Sequence, residues 1–163
     1  MKLLIVDDEE RFLHSTQKLL NRKGYDVETA PSGEKCLEIL GEKAIDVVIL
    51  DVKMPGIGGM ETLRRIKREQ PMTEVIMLTG HGTAEYAVDA LLRGAADFLV
   101  KPVSIPELIE KVEAAMARRM VLEEKIRAAK ALKAAEAGLS TQSSDPAGPE
   151  ETITNTANSG KKQ

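Results

Sequence analysis

Ile45-Asp46-Val47-Val48-Ile49-Leu50-Asp51-Val52-Lys53-Met54-Pro55-Gly56 is the stretch that decides the fold. Val47 to Leu50 is an unbroken run of branched apolar side chains, the pattern of a strand covered on both faces in a parallel sheet. The run stops at Asp51. Pro55 offers no N–H to a ladder and Gly56 permits a sharp turn, so the strand cannot continue beyond them. Asp51 is thereby expected at the carboxyl end of a sheet, the edge at which open α/β sheets bind ligands.

The same pattern recurs on either side. Leu3 to Val6 reads as a buried strand ending in Asp7 and Asp8, with Glu9 and Glu10 following. Tyr25 to Thr29 alternates like a short half-buried strand, Val75 to Leu78 leads into Thr79-Gly80, and Phe98 to Val100 leads into Lys101-Pro102. Helical spacing fills the gaps. Phe12, Leu13, Thr16, Leu19 and Leu20 precede a Lys23-Gly24 stop, Ser32 caps a helix through Leu37 and Leu40, and Met60, Leu63 and Ile66 share a face. Thr83 is placed to cap a helix carrying Ala84, Ala87, Val88 and Leu91 that stops at Gly94, and Ser104 with Glu107 has the spacing of a capping box. Five strands alternating with helices predict an α/β fold with a doubly wound, five-stranded parallel sheet, because parallel neighbours need crossover connections.

A chain of 163 residues, 42% of them hydrophobic, suffices for one domain with a core and something left over. We expect a globular domain over 1–120, a helical extension over 121–138, and a polar tail over 139–163 that is too poor in large apolar residues to fold. A formal charge of −3 and a pI near 5.6 give no general attraction to nucleic acid or an anionic membrane, and neither is expected as a partner. The single Cys36 cannot form an internal disulfide, and Leu3 to Val6 is too short for a signal or membrane segment. A cytoplasmic location is expected.

Asp7 and Asp8, Asp51, Thr79 and Lys101 each lie at the end of a predicted strand. In a parallel sheet such ends face one way, so these residues converge on one crevice. Three carboxylates brought together repel one another unless a cation is present, and Mg²⁺ suits a few carboxylates supplemented by water and a phosphate oxygen. Asp51 is then available as an anionic nucleophile, with the Thr79 hydroxyl and the Lys101 charge facing the oxygens of an incoming phosphoryl group. Taken singly, the acid pair suits a helix entry, Thr79 a turn and Lys101 a solvated surface. Their coincidence at four strand ends favours phosphoryl transfer.

Leu4-Ile5-Val6-Asp7-Asp8-Glu9, Leu50-Asp51-Val52-Lys53-Met54-Pro55-Gly56, Leu78-Thr79-Gly80 and Lys101-Pro102 together resemble the motif set of bacterial two-component response-regulator receiver domains, over about residues 2–120. The resemblance implies a flavodoxin-like sheet of strand order 2-1-3-4-5. It implies that Asp51 accepts phosphate from a sensor histidine kinase or phosphotransfer protein, making the chain a self-modifying phosphoacceptor rather than a turnover enzyme. It further implies Mg²⁺ bound by Asp8, Asp51 and the backbone carbonyl of Lys53, with Asp7 acting through water, and a cis peptide before Pro102. In the switch that the family uses, Thr79 moves toward the phosphoryl group and an aromatic at position 98 enters the space it leaves. Phe98 holds that place here, where many relatives carry Tyr. Lys53 and His81 occupy positions flanking the site that influence acyl-phosphate lifetime. Gly80-His81-Gly82-Thr83-Ala84-Glu85 and Gly94-Ala95-Ala96-Asp97-Phe98-Leu99 are similar to receivers of σ54-activating regulators. The stretch 103–163 contains no phosphate-binding glycine loop of an ATPase.

Two other readings remain at this point. A Mg²⁺-dependent phosphatase with an aspartyl nucleophile needs similar residues, but on the first strand in an Asp-x-Asp motif with a cap insertion. A degenerate receiver that binds a partner constitutively is the second, although every phosphorylation residue is present. Within the domain Leu108, Ile109, Val112 and Met116 are expected to cover the sheet, whereas Val121, Leu122, Ile126, Ala129 and Leu132 recur where the sheet should no longer reach. Leu108, Ala115, Leu122 and Ala129 fall at sevenfold spacing, which predicts an extended C-terminal helix that pairs with a second copy, interrupted at Arg119 and Lys133.

Overall fold

A computed structural model describes residues 1–80 and 84–142 of the chain. In chain order the elements are β1 (Lys2–Val6), α1 (Glu10–Arg22), β2 (Asp26–Ala30), α2 (Gly33–Glu42), β3 (Val47–Asp51), α3 (Gly58–Glu69), β4 (Glu74–Thr79), α4 (Ala84–Leu92), β5 (Asp97–Val100) and α5 (Ile105–Gln142). The five strands are all parallel and lie in the order β2-β1-β3-β4-β5. The expected doubly wound fold and strand order are therefore present. Contacts within the chain divide it into one unit from Met1 to Glu124 and a second that begins at Lys125.

Unbroken apolar strands make sense here because successive side chains point to opposite faces, and both faces are covered. Leu4, Val6, Val48, Leu50, Val75 and Met77 point to one face and pack with Cys36, Ile39 and Leu40 of α2, Leu63 and Ile66 of α3, and Ala90 of α4. Leu3, Ile5, Val47, Ile49, Ile76 and Leu78 point to the other and pack with Leu13 and Leu20 of α1 and Leu108, Val112 and Ala115 of α5. Each large side chain buried in this way contributes about 1.5–3 kcal/mol. An exposed ion pair such as Lys35–Glu38 or Arg93–Asp89 contributes about 0–1 kcal/mol, so the two apolar layers carry the fold.

Helix boundaries agree with the sequence signals. Ser32 Oγ accepts from the Lys35 N–H at 3.1 Å, Ser104 Oγ accepts from the Glu107 N–H at 3.3 Å, and Gly24 and Gly94 sit at φ +94° and +100° just past α1 and α4. The second strand starts one residue later than expected, at Asp26. Tyr25 is instead turned toward α5, where its hydroxyl donates to Glu113 at 3.0 Å. The cap proposed at Thr83 lies outside the described residues, as does most of the 139–163 tail; α5 itself runs on to Gln142.

The seam predicted along α5 needs correction. Leu108, Ile109, Val112 and Met116 pack against the sheet as expected, but Ala115 is fully buried there too, so Leu108 and Ala115 cannot also face a second copy. Arg119 does not break a seam. Its guanidinium donates to the Asp46 carbonyl at 3.2 Å and pairs with the Asp46 carboxylate at 3.1 Å and with Glu123 at 2.8 Å, pinning this part of α5 beneath β3. Sevenfold spacing by itself cannot distinguish residues facing a sheet from residues facing another helix. Val121, Leu122, Ile126 and Leu132 are exposed. No helix among the described residues is long and apolar enough to cross a membrane.

Candidate functional site

Asp7 leaves β1 fully buried, and its carboxylate is oriented by the Glu9 N–H, which donates to Oδ1 at 2.9 Å. Asp8 is exposed beside it. Asp51, only 7% exposed, ends the neighbouring strand β3. Parallel register brings these strand ends level, and Asp7, Asp8 and Asp51 can each present a carboxylate oxygen within 4.8 Å of the others. Oxygen-only donors, one of them open to solvent, fit a hard divalent cation that keeps part of its water shell. The group predicted from strand ends is thus assembled.

Lys101 enters from the end of β5. Its Nζ pairs with Asp7 Oδ2 at 2.5 Å and lies 3.7 Å from Asp51 Oδ2. The ammonium also sits 4.7 Å from the centroid of the Phe12 ring, a cation–π distance. Thr79, buried at the end of β4, donates its hydroxyl to the Leu99 carbonyl at 3.2 Å, while its own carbonyl accepts from the Lys101 N–H at 2.7 Å. Phe98 is partly buried against the core. The Lys101–Pro102 peptide is cis, as the resemblance implied. Lys53, exposed, lies two residues past the end of β3, and His81 lies outside the described residues.

Electrostatics set the state of Asp51. Burial is the main cause that pushes the Asp51 carboxyl up to about 6; the Asp7 and Asp8 charges add to it and the Lys101 charge opposes it. Partial burial pulls the Lys101 ammonium down, but the Asp7 hydrogen bond and the Asp51, Asp7 and Glu9 charges outweigh it and hold the group above its ordinary value. Within the cluster one ammonium faces three carboxylates.

Sequence reasoning missed several contributors. Phe12 has the helical spacing of a core residue, and nothing local indicates that Lys101, far along the chain, rests on its ring. Gly59, in the first turn of α3, lies so close to β3 that a Cβ there would overlap the Asp51 carbonyl oxygen, and its N–H donates to the Val52 carbonyl at 3.0 Å. Glu34, on α2, accepts from the Ile57 N–H at 2.9 Å across the loop between β3 and α3. None of these has a sequence signal beyond residue type, because each contact joins separate elements.

Comparison with known proteins agrees with this geometry. The family profile described as "Response regulator receiver domain" matches residues 3–113. Among curated relatives, the transcriptional regulatory protein ZraR of Escherichia coli O157:H7 is 36% identical over 121 residues, covering 74% of this chain and 27% of that protein. The DNA-binding transcriptional regulator NtrC of Escherichia coli K12 is 37% identical over 112 residues, covering 69% and 24%. The chain thus spans about a quarter of the length of these relatives. A receiver domain protein from Clostridium thermocellum superposes with a TM-score of 0.72 at 41% identity, covering 74% of this chain and 98% of that one. NtrX from Brucella abortus superposes with a TM-score of 0.72 at 33% identity, covering 76% and 28%. A match over most of the chain, with the acidic cluster and the strand order both present, leads to one conclusion: the chain belongs to the response regulator receiver domain family of two-component systems.

Proposed function

We propose that Asp51 is the phosphoacceptor of this receiver and that a sensor histidine kinase or phosphotransfer protein is the donor. The observation that carries this is the placement of Asp51 beside Asp7, Asp8 and Lys101 at the open edge of the sheet. An Asp51 carboxylate oxygen attacks phosphorus, the P–N bond of the donor phosphohistidine breaks, and its electron pair returns to the imidazole, which takes a proton from solvent. Water later attacks the acyl phosphate and releases inorganic phosphate. Asp8, Asp51 and the Lys53 carbonyl would hold Mg²⁺, with Asp7 contributing through water; bound there, the ion neutralises the charge on the transferring phosphoryl oxygens. Lys101 offers the phosphoryl group an ammonium partner. Incubation with Mg²⁺ and acetyl phosphate, followed by intact mass measurement, is expected to add one phosphoryl group; an unmodified chain at saturating donor overturns the proposal.

The proposed switch starts from a definite hydrogen bond. Thr79 donates to Leu99, and turning its hydroxyl toward a phosphoryl oxygen would exchange that bond for a charge-assisted one, roughly twice as strong. The vacated space lies beside β5, and Phe98 moves into it.

The site's acidity predicts a pH response. With the Asp51 carboxyl raised to about 6, protons compete with Mg²⁺ below that pH. The apparent Mg²⁺ affinity, measured by titration with NMR detection, is expected to fall about fivefold as pH drops from 6 to 5. A flat profile over that range would contradict the assignment.

The domain organisation we propose is a receiver over 1–120 and a helical extension over 121–138. Corrected for the residues that the receiver core uses, the exposed stripe Leu122, Ile126, Ala129 and Leu132 is the face we assign to a second copy of the chain. An isolated helix is marginal in water, so these apolar residues gain from a partner. Sedimentation at tens of micromolar, with and without beryllium fluoride, is expected to show a monomer–dimer equilibrium that Leu122→Glu shifts to monomer. A strict monomer in both states would eliminate the dimer and leave phosphorylation untouched.

A further inference from the structure

The loop between β3 and α3 is the one part of the proposed metal site built from backbone, and the structure shows how it is held. At its start, Val52 donates its N–H to the Leu78 carbonyl and accepts from Gly59, both at 3.0 Å. At its far side, Gly56 and Gly58 adopt φ of +80° and +72°. Two positive-φ glycines flanking Ile57 would let this segment pivot, because glycine crosses to neighbouring backbone regions at little cost. The start of α3 has no side-chain cap of its own.

A residue from another helix supplies the missing restraint. The carboxylate of Glu34, in the first turn of α2, accepts from the Ile57 N–H at 2.9 Å. Gly56 leaves room for it, since a Cβ there would overlap the Glu34 carboxylate. Among the described residues, this is the hydrogen bond that ties positions 53–57 to an element other than β3 and α3. The carboxyl of Glu34 is held below its ordinary range, first by its own N–H and then by that of Ile57, so it is ionised throughout the working pH range.

We propose that Glu34 is a positioning residue for the metal site: by clamping Ile57 it restrains the loop that carries the Lys53 carbonyl. This rests on the Mg²⁺ site described above. Glu34 does not touch the cation and is not a catalytic residue. Its effect is preorganisation. With the clamp present, the loop is already ordered when the ion arrives; without it, binding must also order the loop.

Three proteins test this, wild type, Glu34→Ala and Glu34→Gln, each titrated with Mg²⁺ by NMR and followed by amide exchange at Ile57. Glu34→Ala is expected to weaken Mg²⁺ binding about 3- to 10-fold and to speed exchange at Ile57, with phosphorylation by acetyl phosphate recovering at saturating Mg²⁺. Glu34→Gln retains a carbonyl acceptor and is expected to bind within about twofold of wild type, because the hydrogen bond rather than the net charge does the holding. Equal losses in both variants would reassign the effect to long-range charge and overturn the proposal. Unchanged affinity in Glu34→Ala, alongside normal binding by wild type, overturns it alone. Failure of wild type to bind Mg²⁺ overturns it together with the metal site.

Discussion

Asp51→Asn is expected to eliminate acid-labile phosphate and, in the absence of metal, to make the protein more stable. The first effect arises because an amide keeps the shape of the carboxyl but has no nucleophilic anion. The second comes from the sign of the acidity shift. The folded protein raises the Asp51 carboxyl from 3.8 to about 6, so between those values the folded state holds a proton that the unfolded state has released. Stability contributed by the protonated form is therefore lost as pH rises from about 4 to 6, and at neutral pH the buried anion opposes folding by about 1–3 kcal/mol. Replacing it with Asn removes that opposition. Thermal unfolding at pH 7.5 should show a rise of a few degrees for the metal-free variant, together with loss of most of the stabilisation that wild type gains from added Mg²⁺. A variant that unfolds at lower temperature than metal-free wild type would mean that Asp51 is ionised at no cost, contrary to the geometry.

Lys101→Ala is expected to have the opposite effect on the metal-free protein while leaving a site that still takes up Mg²⁺. Lys101 is the ammonium paired with buried Asp7 and lying 3.7 Å from Asp51, and its removal leaves three neighbouring carboxylates without that charge. Breaking one side of a buried pair is strongly destabilising; because Lys101 is partly exposed, about 1–3 kcal/mol is expected, much of it restored by Mg²⁺. Switching should suffer more than binding. With no ammonium to meet the phosphoryl oxygens, beryllium fluoride should produce amide shifts confined to the acidic cluster and absent around Thr79 and Phe98. Shifts of wild-type extent in that region would show that Lys101 is dispensable to the switch.

The two variants form a useful pair because they move the same electrostatic balance in opposite directions. Removing one negative charge relieves the metal-free site, and removing the positive one aggravates it. Combining them should restore stability close to wild type without restoring phosphorylation, since charge balance and nucleophile are separate properties of one cluster. Because the two groups lie 3.7 Å apart, their effects are coupled, and the loss of the Asp51 charge should make the loss of Lys101 less costly than it is alone.

Much of the fold was legible in the sequence because its signals are local. Unbroken apolar runs at Leu3 to Val6 and Val47 to Leu50 specify strands buried on both faces, and alternation of such runs with helical spacing specifies parallel crossovers. The acids, the threonine and the lysine at the strand ends were legible for the same reason. A parallel sheet carries every strand end to one edge, so the convergence of Asp7, Asp8, Asp51, Thr79 and Lys101 is a consequence of topology before any distance is known.

Contacts between separate elements were decided only by tertiary structure. Sevenfold spacing along α5 describes Leu108 and Ala115 as well as Leu122 and Ala129, yet the first pair is consumed by the sheet, because a helix face packs on whichever apolar surface lies nearest. Arg119 looked like an interruption and is an anchor, since its partner Asp46 lies 73 positions away. Phe12 beneath Lys101 and Glu34 against Ile57 depend in the same way on where neighbouring helices sit. Residue type and spacing encode the period and the ends of each element; which side chains then meet is set by how the layers pack, a property of the whole chain that no short stretch contains.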